Sequence, residues 1–327
     1  NTVTNATELG GETGQQKTVT ILDNDATETV TLSVDSPNIA EDAGATSTTV
    51  RATLSALAGR DITVTLGKTG TAIDTTDYNL SSITIFIPEG KPEGTATLTA
   101  AFDLLDEFEE TVIIDIVGVE NVIEATTQQK TVTINDDDET PTATLTVGSE
   151  TLEEEVGTST TSNGTVTNTP VTVTLSAIAG RDITVTLVTS GTAKDNGKDY
   201  TLSGKTIFIP TLVPSVTVTL TTVSDVLDES NETVIIDIDT VLHVIEKDGL
   251  QRQTVTIFDN DATPTVALSV GLENIQEDKA PPTKTTVTAT LTAIAGRDIT
   301  VFLSTSGTAT NGNDYTIGTS ILIPEEA

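Results

Sequence analysis

The feature that most constrains the fold is a phrase the chain says three times. Leu54-Ser-Ala-Leu-Ala-Gly-Arg-Asp-Ile-Thr-Val64 returns almost unchanged as Leu175 to Val185 and as Leu291 to Val301. A second shared phrase follows each copy: Gly70-Thr-Ala…Asp77-Tyr78, Gly191-Thr-Ala…Asp199-Tyr200 and Gly307-Thr-Ala…Asp314-Tyr315. The step from Arg60 to Arg181 is 121 residues and from Arg181 to Arg297 it is 116. Solenoid rungs repeat every 20 to 50 residues or so, so a period this long is a whole domain.

Within a period the apolar pattern has a spacing of two. Val50, Ala52 and Leu54 alternate with polar residues, as do Ile62, Val64 and Leu66, then Ile83, Ile85 and Ile87. Ala96, Leu98 and Ala100 follow, then Val112, Ile114 and Ile116, then Val132 and Ile134. Such alternation marks strands with one face buried. Threonine fills many of the alternate positions, and its β-branched side chain suits a solvated sheet face. An opening strand near Val30 to Val34 brings the count to seven. Seven short strands in one period predict an all-β chain of tandem immunoglobulin-like β-sandwiches. Ala58-Gly59-Arg60-Asp61 falls between two strands and is expected to be a hairpin turn.

The repeat also parses the chain. Residues 1–27 match the end of a repeat, because Gln15 to Asp25 parallels Gln128 to Asp138. Complete repeats are expected at 28–139 and 140–262, and 263–327 matches the beginning of another. With no Met, the sequence reads as an internal piece of a longer polypeptide. Only Ala262-Thr263-Pro264 and Thr140-Pro141 separate repeats, and a φ-locked proline leaves little freedom. Consecutive repeats are therefore expected to touch.

Charge narrows the function. Against 15 Lys+Arg stand 49 Asp+Glu, a formal net charge of -34. That repels nucleic acid and anionic membranes and suits a chain that gathers cations. No apolar run reaches the roughly 18 residues of a membrane span. The absence of Cys removes disulfides and thiolate metal sites. No Ser-His-Asp arrangement, phosphate-cradling glycine loop or basic patch is present. The one histidine, His243, falls in an expected loop, so no catalytic function is expected.

The carboxylates recur at four places, all at strand ends. They are Glu41-Asp42, matched by Glu154-Glu155 and Glu277-Asp278; the Asp of Asp-Tyr; Asp103 to Glu110, matched by Asp225 to Glu232; and the closing Asp136-Asp137-Asp138, matched by Asp259-Asn260-Asp261. Loops of a sandwich collect at two ends, so six or more carboxyl oxygens can meet. Two unit charges about 4 Å apart repel by roughly 4 kcal/mol at an effective dielectric of about 20. Several such pairs would strain a domain whose whole stability is about 5 to 15 kcal/mol. A hard divalent cation that takes six to eight oxygens turns the liability into a site. One His and no Cys argue against zinc. The plainer alternative is that the acids only confer solubility and guard strand edges.

These motifs together resemble the Calx-beta domain. They are Glu41 after the first strand, Gly-Thr-Ala…Asp-Tyr, Asp…Glu-x-x-Glu-Thr before an apolar strand, and Thr-Val-Thr-Ile closing on an acidic triplet. The resemblance covers essentially the whole chain. It implies Ca2+ ligands at Glu41, Asp77, Asp103, Glu107, Glu110, Asp136, Asp137 and Asp138 in the first complete repeat. In the second it implies Glu154, Asp199, Asp225, Glu229, Glu232, Asp259 and Asp261. Phe102 and Ser224 stand where the family often has a further Asp, and Asn24 and Asn260 interrupt two triplets. Fewer ions per repeat are therefore expected than in the best-endowed members.

The resemblance implies a calcium-binding structural region, a stiff extracellular stalk or fibre of a large bacterial surface or adhesion protein. Its partners would be calcium ions, neighbouring repeats and other copies of the same fibre. The alternatives are a calcium-responsive regulatory sensor and a ligand-binding adhesin module, the latter disfavoured by an aromatic content of 3%. Arg60, Arg181 and Arg297 are expected to be turn residues paired with a nearby Asp, with contact to a neighbouring repeat as the alternative. Tyr78, Tyr200 and Tyr315 are expected to be packed rings. Asn5, Asn79, Asn163 and Asn231 fit the N-x-[ST] pattern, which chance explains in so Thr-rich a chain.

Overall fold

Alternation of Val, Ile and Leu with Thr produces strands throughout, and no helix occurs among the described residues. The computed structural model describes residues 17–22, 24–42, 44, 46–154, 167–195, 197–249, 251–277 and 283–326. The chain divides into two compact units, Asn1–Asp103 with Glu109–Asp137, and Leu104–Phe108 with Asp138–Ala327. No helix among the described residues is long and apolar enough to cross a membrane.

The first unit is a sandwich of two five-stranded sheets. Its strands are β1 (Thr29–Val34), β2 (Asn38–Ala40), β3 (Ser47–Leu54), β4 (Ile62–Gly70), β5 (Tyr78–Leu80), β6 (Thr84–Ile87), β7 (Glu93–Ala100), β8 (Glu110–Glu120), β9 (Ile123–Glu124) and β10 (Gln129–Asn135). One sheet has the order β5-β7-β3-β1-β9 and the other β2-β10-β8-β4-β6. The inward residues of both form one core, in which Val30, Val50, Ile62, Val64, Leu98, Val112 and Ile114 are buried. Each side chain of this size is worth about 1.5 to 3 kcal/mol when fully buried. Threonine repeats on the other faces, as in the pairs Thr31↔Thr53 and Thr49↔Thr97.

Ten strands replace the expected seven. The additional β2, β5 and β9 span only two or three residues, too few to show a period of two. Ile83, expected to point inward with Ile85 and Ile87, lies before β6 and is exposed. The expected hairpin at Ala58 to Asp61 is also corrected. β3 and β4 belong to different sheets, so this turn carries the chain across the end of the sandwich. Ala58 is buried beneath it, and Asp61 Oδ1 accepts the Glu89 amide at 2.9 Å.

The second unit contains the same sandwich again. Its strands are β11 (Thr142–Val147), β12 (Thr151–Glu153), β13 (Asn168–Leu175), β14 (Ile183–Gly191), β15 (Tyr200–Leu202), β16 (Thr206–Ile209), β17 (Ser215–Thr222), β18 (Glu232–Leu242), β19 (Ile245–Glu246) and β20 (Gln253–Phe258). The sheet orders are β15-β17-β13-β11-β19 and β12-β20-β18-β14-β16. A register irregularity sits at Thr186/Leu187 in β14, as it does at Thr65/Leu66 in β4. The recurring Gly of Gly-Thr-Ala has a physical cause. Gly70 and Gly191 adopt φ of 126° and 118°, and a Cβ there would overlap the carbonyl of Thr111 or Thr233.

Beyond this sandwich the same unit has β21 (Val266–Val270) paired with β22 (Val287–Leu291), and β23 (Ile299–Phe302) paired with β24 (Ser320–Ile323). The pair Val266↔Leu291 repeats the register of Val30↔Leu54. Its apolar face is open, with Val266 47% exposed where Val30 is 0%.

Candidate metal centre

The acidic centre of the second sandwich forms where strand ends converge. β12 runs parallel to β20, and the Glu154 amide, just past β12, donates to the Phe258 carbonyl at 3.0 Å. Glu154 is thereby held beside the residues that follow β20. Glu154, Asp259 and Asp261 each offer an oxygen within 4.8 Å of the others. Asp199 directly precedes β15, Glu229 lies in the loop before β18, and Glu232 opens β18. These three form a second group with the same spacing. Two oxygens that both lie about 2.4 Å from one calcium cannot be more than about 4.8 Å apart, so the spacing matches such an ion.

Asp225 and Asp259 tie the two groups together. The Asp225 amide donates to Glu154 Oε1 at 3.0 Å, and the Glu229 amide to Asp259 Oδ1 at 3.2 Å. Both groups open on one pocket, lined by Glu154, Asp199, Glu229, Glu232 and Asp259 with Val223, Ser230 and Ile257. All seven carboxylates singled out in this repeat are thus brought into one neighbourhood. Glu155 lies outside the described residues.

Burial and crowding hold protons on this centre. Burial, then the charges of Asp225, Asp261 and Asp259, pushes Glu154 up to about 7 against the amide bond it accepts from Asp225. Burial, a hydrogen bond with Asp199 and the charges of Asp199 and Glu229 push Glu232 up to about 8. Glu229 is raised by burial and by Asp225, and Asp261 by burial and by Asp259. The donors are all hard oxygens, buried enough to resist ionising together. That set fits calcium and does not fit a nitrogen- or sulfur-seeking metal.

In the first unit the corresponding residues occupy equivalent strand ends. Glu41 follows β2, is buried, and donates its amide to the Asn135 carbonyl at 3.1 Å, as Glu154 does to Phe258. Asp77 is buried directly before β5. Asp103 follows β7, Glu110 opens β8, and Asp136 follows β10; these three are half-buried, while Asp137 is exposed. Asp138 and Glu107 are half-buried residues of the second unit. Asp42 and Glu277 are exposed, and Asp278 lies outside the described residues.

Each Asp of the Asp-Tyr pairs also braces its own loop. One oxygen accepts a backbone amide, from Ile73 at Asp77, from Lys194 at Asp199 and from Thr310 at Asp314. Tyr78 and Tyr200 are packed as expected, 3% and 1% exposed. His243 is half-buried, and its Nδ1 lies 2.8 Å from the Asp182 carbonyl.

Sequence reasoning missed Asp106 and Asp228. Both are buried, and each pairs with an arginine far along the chain, Asp106 with Arg181 and Asp228 with Arg297. The signal was present as the fourth residue of Asp-x-Leu-Asp-Glu in both loops. Neither arginine is a turn residue paired with an Asp of its own turn. Arg60 instead meets Glu28 at 3.4 Å.

The profile of the Calx-beta domain matches residues 12–138, 147–261 and 259–323. The crystal structure of CBD12 from CALX1.2 is 18% identical, with 62% of this chain and 77% of that chain covered and a TM-score of 0.29. The calcium binding domain CBD12 of CALX1.1 is 16% identical, covering 67% of this chain and 95% of that chain, at a TM-score of 0.30. A two-domain protein of unknown function from Bacteroides fragilis is 12% identical, covering 71% and 93%, at a TM-score of 0.28. No curated protein matches the chain significantly.

Proposed function

The chain belongs to the Calx-beta family, and from that premise we propose that it is a calcium-loaded spacer, a run of β-sandwiches that stiffens when the ion binds. The observation that carries this reading is the pair of three-carboxylate groups sharing Asp225 and Asp259 as neighbours. Glu154, Asp259 and Asp261 would hold one ion, and Asp199, Glu229 and Glu232 another, with Asp225 between them. Glu41, Asp77, Asp103, Glu107, Glu110 and Asp136 to Asp138 would serve the first repeat in the same way. Bound calcium supplies the positive charge that lets these carboxylates ionise together.

The repeats in this reading are 28–139 and 140–262, flanked by the end of one repeat at 1–27 and the beginning of another at 263–327. The acids that close one repeat stand close before the next strand: three residues separate Asp138 from Thr142, and four, Pro264 among them, separate Asp261 from Val266. Loading that end cancels charge where the chain passes onward. An extracellular or cell-surface stalk, bacterial in style, is the role that fits such a string. Small-angle scattering tests it: the maximum dimension should be longer, and its distribution narrower, in calcium than in chelator. Identical distributions would leave calcium as a stabiliser of single repeats and sink the stalk reading.

A further inference from the structure

The thrice-repeated phrase has a use that strand formation does not explain. In the second unit, Arg297 Nη2 meets Asp228 Oδ2 at 2.6 Å, and the Thr263 hydroxyl donates to Asp228 Oδ1 at 3.1 Å. The Gly296 amide donates to the Asp228 carbonyl at 3.2 Å, and Asp228 forms a bridge with Ala295. A methyl group on Gly296 would overlap the side chain of Glu229. Thr263, Ala295, Gly296 and Arg297 therefore make a socket for the Asp-Glu of the sequence Asp225-Val-Leu-Asp-Glu229.

The same unit contains a second socket of the same build. Arg181 Nε meets Asp106 Oδ2 at 2.8 Å and Nη2 meets Oδ1, while the Thr140 hydroxyl donates to Asp106 Oδ1 at 3.0 Å. The Gly180 amide donates to the Asp106 carbonyl at 3.1 Å, and Asp106 bridges to Ala179. A methyl group on Gly180 would overlap Glu107. The seated sequence here is Asp103-Leu-Leu-Asp-Glu107. In both cases the loop precedes its socket in the chain.

Thr27, Ala58, Gly59 and Arg60 repeat the socket residues in the first unit. Ala58 is buried like Ala179 and Ala295. Among the described residues, however, nothing lies within 4 Å of a Cβ on Gly59, so its own repeat gives no reason for a glycine. Among the described residues, Arg60 pairs with Glu28 at 3.4 Å and donates to the Asn121 carbonyl at 3.2 Å. Surface pairs of that kind are screened by water and contribute little. A buried, two-pronged carboxylate is a far better partner for a guanidinium.

We propose that Thr27, Ala58, Gly59 and Arg60 are a docking socket for the Asp-x-Leu-Asp-Glu loop of a further Calx-beta repeat joined ahead of Thr27. The occupant is set by the two seated loops, which share that motif, and by the match of Asp25-Ala-Thr27 to Asp261-Ala-Thr263. This inference rests on the tandem-repeat reading, not on calcium. It gives the Ala58-Gly59-Arg60 turn the same use as its two counterparts in the second unit.

The chain has no cysteine, so introduced thiols report cleanly. In a lengthened chain, a second copy of residues 140–262 replaces residues 1–26. Gly59→Cys is combined with Glu229→Cys in the added copy, and a short bismaleimide is applied. The pair Glu229→Cys with Gly296→Cys in the original chain sets the yield for a seated loop. The internal cross-link should form within about twofold of that yield and fall at least fivefold with Arg60→Glu. A yield no better than with Asn79→Cys in place of Gly59→Cys overturns the proposal. So does cross-linking only between molecules, which would assign the socket to a second copy. Calcium affinity is titrated on the lengthened chain without the cysteine substitutions, so a seated loop without calcium binding would overturn the calcium reading and leave this one standing.

Discussion

The backbone amide of Asp225 donates to Oε1 of Glu154 at 3.0 Å across 71 residues of sequence. This bond fixes the loop before β18 onto the end of β12 and makes Glu154 the residue through which both acidic groups communicate. Glutamine at 154 can still accept that amide but brings no charge. Glu154→Gln should therefore lower calcium affinity of the second sandwich by more than tenfold while raising its melting temperature in chelator. Calcium titration and thermal unfolding of the same variant check both signs. A fall in melting temperature in chelator would make Glu154 a structural residue only.

In the first repeat the contrast lies within one strand. Glu110 opens β8, and Asp115 lies five residues further along it with its carboxylate beside Gly67. Glu110→Gln should lower calcium affinity more than tenfold, and Asp115→Asn should leave it unchanged. Equal effects in a calcium titration would indicate a diffuse charge response in place of a site.

The pH dependence has a definite sign. Glu154 and Glu232 rise from an ordinary 4.5 to about 7 and about 8 in the folded state. Between pH 4.5 and about 8 the folded second sandwich thus holds more protons than the unfolded chain. In chelator the contribution of these two groups to its stability is fully present below pH 4.5 and is lost as pH rises through the folded values. Calcium must displace those protons, so its affinity should increase over the same range, by up to about tenfold per pH unit for each proton released. From pH 5 to 8.5 the melting temperature should fall in chelator and stay nearly level in saturating calcium, so that the two curves separate as pH rises.

Two loops store backbone strain that sister repeats avoid. Thr75 adopts φ of 72° where Gly197 and Gly312 stand, and Leu212 adopts 62° where Gly90 stands. The left-handed region costs a side chain about 1 to 2 kcal/mol, offset by about 0.5 to 1 kcal/mol of glycine's entropy. Thr75→Gly and Leu212→Gly should each stabilise their sandwich by about 0.5 to 1 kcal/mol in denaturant unfolding. Neither should alter the calcium response.

The long strands were legible because an apolar residue at every second position has one structural solution, as in Val50, Ala52 and Leu54. β2, β5 and β9 were not, since two or three residues carry no period. β2 and β5 matter to the site, because Glu41 follows the one and Asp77 precedes the other. The recurrence of acids at strand ends was readable from spacing alone, and their meeting at one end of a sandwich was an arrangement that spacing allowed. The place of Glu154 beside Asp259 was not readable, because the parallel pairing of the three-residue β12 with β20 sets it. Nor was the role of Arg297. Its partner Asp228 lies 69 residues earlier, and pairing over that distance depends on how a loop is seated, which a local pattern does not encode.

The central claim is that the acidic centre is a calcium site, and thermal unfolding of the chain in calcium and in chelator tests it most directly. At about 10 mM calcium, sites with dissociation constants of roughly 10⁻⁴ to 10⁻³ M would add about 1.4 to 2.7 kcal/mol each. A rise of several degrees in melting temperature is therefore expected at pH 7.5, and it should be largely lost in the Glu154→Gln and Glu232→Gln double variant. Superimposable melting curves in calcium and in chelator would contradict the account.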